Sequence, residues 1–248
     1  MDDATTPNDE GRVTVGLDLG DKYTQVCVLD SEGDVIEEAR LRTTPEAYRR
    51  RFAQMPTARM VLEAGAHSPW VSRLLRECDH EVYVANPRKL RLIYQNDSKS
   101  DRVDAEYLAR IGRLDPALLA PFPHRQADTQ TDLALVRSRD VLVRARVRLI
   151  NHVRGTVKSV GGHLGKCSSA TFAGKALPDL PTELEPALAP LLQVITTLDE
   201  QIRSYDQKIE RLAKERYPET ALLRQIAGVG ALTALTYVLT LEDPARFP

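Results

Sequence analysis

Val13, Val15, Leu17 and Leu19 alternate with smaller or polar residues, the two-residue period of a strand. A second β-rich run covers residues 24–29, and Gly20-Asp21-Lys22 between the two predicts a turn. Ser31-Glu32-Gly33-Asp34 predicts another turn, followed by a third strand over 35–42. Three strands with short connections predict an antiparallel meander. The period then changes. Thr44 and Pro45 predict the start of a helix over 45–54, because proline fits the first helical position. Residues 59–64 predict a short buried strand, Ser68-Pro69 opens a helix to residue 77, and 81–85 predicts a strand ended by Asn86-Pro87. Residues 88–94 read as helical, 95–100 as a polar loop and 101–113 as a helix. The order β-β-β-α-β-α-β-α implies an α/β domain whose mixed sheet carries helices on its faces.

Pro116, Pro121 and Pro123 mark a boundary, and a long helix is predicted beyond them. Val136, Val143, Ile150 and Val157 recur every seven residues, flanked by Leu135, Leu142 and Leu149. The glycines and prolines of 161–186 predict a loop. A second long helix then carries Leu188, Ile195, Ile202 and Ile209, with Leu191, Leu198, Tyr205 and Leu212 offset by three. That is the apolar pattern of a coiled-coil seam. Two such helices either fold back on each other or pair with a second copy. The predicted organisation is a disordered tail at 1–11, an α/β domain at 12–115, a coiled-coil segment at 124–216 and the start of a helical domain at 220–248. The chain stops soon after an apolar helix, so it is expected to be a truncated copy.

The 248 residues are 42% hydrophobic and 28% charged, which excludes a wholly disordered chain. No apolar run approaches the roughly 18 residues of a membrane span. The acidic start has neither the basic residues nor the apolar stretch of a secretory signal. Three widely spaced cysteines, Cys27, Cys78 and Cys167, fit a reducing compartment, and a cytoplasmic protein is expected. The five histidines show no zinc spacing and read as structural or surface residues.

The net charge is −1, but the charge is segregated. Arg88, Lys89, Arg91, Lys99 and Arg102 surround the helix predicted at 101–113, where they can guide a phosphate backbone. A second basic set, including Arg144 and Arg148, lies along the first long helix. Its arginines either contact phosphates or form the solvated face of a coiled coil.

Four acids stand out. Asp18 lies near the end of the first strand, Glu63 at the end of the fourth, and Asp101 and Asp104 share one side of a helix start. Such elements can converge on one sheet edge, where carboxylates repel unless cations neutralise them. Mg²⁺ takes oxygen ligands, and paired ions can clamp the attacking and leaving oxygens of a phosphodiester. The alternative for each acid is a turn residue or a helix-start charge.

Gly16-Leu17-Asp18-Leu19-Gly20, Val61-Leu62-Glu63-Ala64, Ala85-Asn86-Pro87 and the run Lys99-Ser100-Asp101-Arg102-Val103-Asp104-Ala105-Glu106-Tyr107-Leu108-Ala109 together resemble the IS110-type DEDD transposases. The resemblance implies an RNase H-like, RuvC-like N-terminal domain, with Asp18, Glu63, Asp101 and Asp104 as catalytic ligands of Mg²⁺ or Mn²⁺. It implies DNA as substrate, a structured guide RNA, and a homo-oligomer formed through the coiled coil. Ile226-Ala227-Gly228-Val229-Gly230 resembles the start of the family's C-terminal transposase domain. That domain supplies a nucleophilic serine, and no serine here matches its motif. The chain is therefore expected to be a DNA transposase or recombinase that does not complete strand exchange alone. A metal-dependent nuclease or Holliday-junction resolvase, and a non-catalytic nucleic-acid-binding remnant, are the alternatives. A sugar-kinase or actin-like ATPase would need a second phosphate loop, which is absent from the sequence.

Overall fold

The computed structural model describes residues 12–89 and 101–244, and for residues 101 and 102 the backbone alone. The tail at 1–11 and the loop at 95–100 lie outside the described residues, as does most of the helix expected at 88–94. The chain divides between His124 and Arg125 into two compact units.

The first unit is built on five strands: β1 (Thr14–Leu19), β2 (Tyr23–Leu29), β3 (Val35–Arg42), β4 (Arg59–Glu63) and β5 (Glu81–Ala85). Their spatial order is β3-β2-β1-β4-β5. β1, β2 and β3 form the expected antiparallel meander, while β4 lies parallel to β1 and β5 parallel to β4. The helices are α1 (Pro45–Phe52), α2 (Ser68–Glu77) and α3 (Asp101–Leu114), followed by a 3₁₀ turn at Pro116–Leu119. This mixed sheet with flanking helices is the RNase H-like architecture the sequence implied.

Parity along the strands assigns the two faces, since successive side chains point to opposite sides. Val15 and Leu17 of β1 and Met60 and Leu62 of β4 pack with Tyr48, Phe52 and Leu75 of α1 and α2. On the other face, Val61 packs with Leu108 and Ile111 of α3, and Cys27 and Leu29 pack with Ala105 and Ala109. Each large apolar side chain buried this way stabilises the unit by about 1.5–3 kcal/mol. Thr44 caps α1, its hydroxyl accepting from the Ala47 N–H. His80 is buried and structural: its Nδ1 accepts from the Ala58 N–H, which leaves Nε2 to donate to the Phe52 carbonyl.

The second unit contains α4 (Ala127–Ser159), α5 (Phe172–Ala176), α6 (Glu185–Glu215), α7 (Thr220–Leu223) and α8 (Ala231–Leu241). The long helices α4 and α6 fold back on each other. Ile150, Val153 and Val157 near the end of α4 share a core with Leu188, Leu192 and Ile195 near the start of α6. Leu133 and Val136 meet Ile209 and Ala213 at the opposite ends, where Leu235 and Leu239 of α8 join them. Tyr217 donates to Asp132 beside this cluster, and burial together with that bond pushes its hydroxyl up to about 12.

The seam differs from the sequence expectation by one residue. Leu188, Ile195, Ile202 and Ile209 are all buried, as the pattern required. The buried second row is Leu192, Asp199 and Ala213, whereas Leu191, Leu198, Tyr205 and Leu212 are only half-buried and Asp206 is exposed. The shift has an electrostatic cause: Arg146 pairs with Asp199 and Arg139 with Asp206 across the hairpin. The Arg146 pair holds Asp199 inward in place of a leucine, while Asp206 meets Arg139 at the surface. Both pairs also commit the charges of Arg139 and Arg146 within the hairpin. Arg146 and Asp199 are 14% and 8% exposed, so Asp199→Ala strands a buried guanidinium. We expect that substitution to cost about 3–5 kcal/mol in chemical denaturation, with the Arg146→Leu/Asp199→Leu pair near wild type.

Candidate metal centre and nucleic-acid face

β1 and β4 are adjacent and parallel, with Leu17 opposite Leu62. Asp18 and Glu63 each lie one step beyond that pair, at the same end of the sheet. Both share the parity of the residues that face α3, Gly16 on β1 and Val61 on β4. Neighbouring strands are about 4.8 Å apart, so the two carboxylates start from adjoining positions on one face. Glu63 is exposed and Asp18 partly exposed, so solvent reaches both.

The direction of α3 brings the other two acids to the same end. Its C-terminal half is tied to the β2–β3 turn: Arg110 donates to the Gly33 carbonyl and Arg113 to the Ser31 carbonyl. Arg59, at the start of β4, donates to the Gly112 carbonyl. The C-terminus of α3 therefore sits over the starting ends of β1 and β4. Its N-terminus, with Asp101 and Asp104, lies toward the ends that carry Asp18 and Glu63. Gly16 sets how closely the helix approaches. A Cβ there would collide with the Ala105 carbonyl and the Ala109 nitrogen.

The donor set is oxygen only, and all of it is carboxylate, the chemistry of a hard divalent cation. Asp18, Glu63 and Asp104 share one sheet end, but they do not close into a ligand cluster. Among the described residues, no three His, Cys, Asp or Glu side chains come together as metal ligands. The Asp101 side chain, the fourth acid, is outside the described residues. The charge of Asp18 also reaches Tyr48, whose hydroxyl is raised chiefly by burial and further by that carboxylate, while its bond to Thr24 pulls the other way.

Arg88 and Lys89 are exposed just beyond β5, at the same end of the sheet. Asn86 holds them there, its side-chain oxygen accepting from the Arg88 N–H and its carbonyl from the Lys89 N–H. Arg91, Lys99 and the Arg102 side chain lie outside the described residues. Arg144 and Arg148 belong to the second unit, where both are exposed and Arg144 pairs with Asp140. Gly16, quoted in the sequence only within its motif, seats α3, and Arg40 with Tyr23, on β3 and β2, were not singled out in the sequence. The available signal was the two-residue spacing of Arg40 and Arg42 on a predicted strand.

The sequence profile of the IS110 DEDD transposases, described as a transposase, matches residues 15–161. The chain belongs to this family. Membership in a DEDD family implies a divalent metal ion. Among curated relatives, the chain is 25% identical over 239 residues to the "Probable family 20 transposase" of Pseudomonas aeruginosa, covering 94% of this chain and 69% of the relative. It is 27% identical over 246 residues to the transposase for insertion sequence element IS1111A of Coxiella burnetii, covering 94% of this chain and 64% of the relative. The transposase for insertion sequence element IS1328 of Yersinia enterocolitica is 26% identical over 244 residues, with 94% and 69% covered. The chain thus spans about two thirds of the length of these relatives. No helix among the described residues is long and apolar enough to cross a membrane.

Proposed function

We propose that this chain is the metal-binding part of a DNA transposase that breaks and joins phosphodiesters, with Asp18, Glu63, Asp101 and Asp104 holding Mg²⁺. The observation that carries this reading is the convergence of β1, β4 and the start of α3 on one end and one face of the sheet. Mg²⁺ bound there would polarise the scissile phosphate and stabilise charge on the attacking and leaving oxygens. The protein's own part is to hold the acids at fixed spacing. β1 and β4 are central strands buried on both faces, and Gly16 lets α3 bring its first turn against them. Arg88 and Lys89 supply positive charge beside the acids, where a phosphodiester needs neutralising.

In this reading the partners are DNA, a structured guide RNA whose pairing selects the sequence, and a second copy of the chain. Base pairing in a guided system carries sequence choice and leaves the protein to read backbone and shape. The α4–α6 seam is used within one chain, so a second copy would meet the half-buried flank that includes Leu142, Leu198 and Tyr205.

Incubating the chain with branched DNA in Mg²⁺ and in a chelator tests the reading. Metal-dependent tightening of DNA binding that disappears in Asp104→Asn is expected. Equally tight binding in the chelator would contradict it, as would absence of DNA binding. Cleavage that yields only hydrolysed ends would instead favour the nuclease or resolvase reading.

A further inference from the structure

β3 is an edge strand, and α3 packs on β1, β2 and β4. The α3-side face of β3 is therefore an open shelf beside the helix. Its residues form rows set by register. Asp18 pairs with Gln25, and Gln25 pairs with Arg40, so an acid of the site, an amide and a guanidinium stand in line across three strands. Arg40 is thus two strand spacings, roughly 10 Å, from Asp18. The neighbouring row pairs Tyr23 with Arg42. Arg40 lies over the Tyr23 ring at 3.8 Å, and both arginines are exposed. Between shelf and helix is a depression of about 310 Å³ lined by Gln25, Cys27, Glu38, Arg40 and Ala105.

Charged residues on an edge strand also discourage unwanted strand pairing. That role does not require a sign or a face. Here the charge is sorted. The α1 side of β3 carries Glu37, paired with Arg51, together with Ala39 and Leu41 packed on the core. The arginines nearest the acid end are both on the α3 side, and the acid of that side, Glu38, is displaced toward the far end.

We propose that this shelf holds the DNA strand acted on at the acid site, with Arg40 and Arg42 contacting its phosphates and Tyr23 stacking on one of its bases. The inference rests on the DNA-processing reading and extends it to residues outside the acids. Guanidinium groups match phosphate oxygens, and an aromatic ring beside a basic track is the platform that single strands use irrespective of sequence. Continuity with Asp18 through Gln25 makes the occupant the reacting strand rather than an unrelated polyanion.

The test is the salt dependence of binding by the full chain to a fluorescent single-stranded DNA, measured without divalent ions. Each lost phosphate contact lowers the slope of log affinity against log salt by roughly 0.7 for a single strand, so Arg40→Gln/Arg42→Gln should lower it by about 1.4. If the proteins bind alike at 1 M salt, the variant should bind roughly 25-fold more weakly at 0.1 M. Arg40→Lys/Arg42→Lys should keep the slope. Tyr23→Ala should weaken binding about fivefold or more at an unchanged slope, and Tyr23→Phe should not. Matching circular dichroism melts establish that the variants fold. An unchanged slope in the glutamine variant, with wild type binding normally, would overturn the shelf and leave the acid-site reading intact. Binding of the equivalent RNA but not DNA would overturn it in favour of an RNA track. Failure of wild type to bind any strand would instead remove the DNA-processing reading.

Discussion

Asp18→Asn is expected to abolish the divalent-dependent part of branched-DNA binding, lowering affinity in Mg²⁺ by about tenfold or more, because the ion this carboxylate holds would bridge the acids to phosphate oxygens. The same substitution should also remove the stability that the ion adds to the folded chain. Wild type should gain about 2.7 kcal/mol of stability at an ion concentration a hundred times its dissociation constant, and the variant should gain little. Thermal melts with and without Mg²⁺ read this gain. A variant that is less stable without metal and still shifts with Mg²⁺ would mark Asp18 as a structural turn residue.

Gly16→Val should be the most damaging single change in the first unit. A side chain there meets the backbone of α3 at Ala105 and Ala109, and backbone cannot rotate away as a side chain can. Overpacking costs about 1–3 kcal/mol where neighbours adjust and more where they do not, so a loss above about 3 kcal/mol is expected in urea denaturation. Gly112→Ala is the control. Its new methyl meets the Val61 side chain, and the loss should be smaller. If the protein survives Gly16→Val, α3 must have moved, and Asp101 and Asp104 with it. Divalent-ion binding should then fall even though no acid has changed. Near-wild-type stability together with normal ion binding would show that α3 does not take its position from β1.

Much of the first unit was legible along the chain. Gly20-Asp21-Lys22 and Ser31-Glu32-Gly33-Asp34 force tight reversals, so an antiparallel meander followed from local rules. Pro45 and Pro69 mark helix starts that the fold contains. The acids were visible as candidates, but their placement toward one sheet end depends on facts that spacing does not carry. The parallel register of Leu17 with Leu62 puts Asp18 beside Glu63, and the ties of Arg110 and Arg113 to the β2–β3 turn fix which way α3 runs. The α4–α6 seam was misplaced by one residue because Asp199 read as an exterior position. Only its arginine partner, 53 residues away, brings it inward. The shelf on β3 was missed for a related reason: Arg40 and Arg42 acquire a direction only once strand parity and the seat of α3 are known.

A divalent cation held at one end of the sheet, between β1, β4 and the first turn of α3, should be titratable in solution. Calorimetric titration of Mn²⁺ into metal-free protein tests it most directly, comparing wild type with Asp101→Asn/Asp104→Asn, each alone and with branched DNA. Saturable binding in wild type that vanishes in the variant is the predicted result. Equal binding in both proteins, or none in wild type even with DNA present, would contradict it.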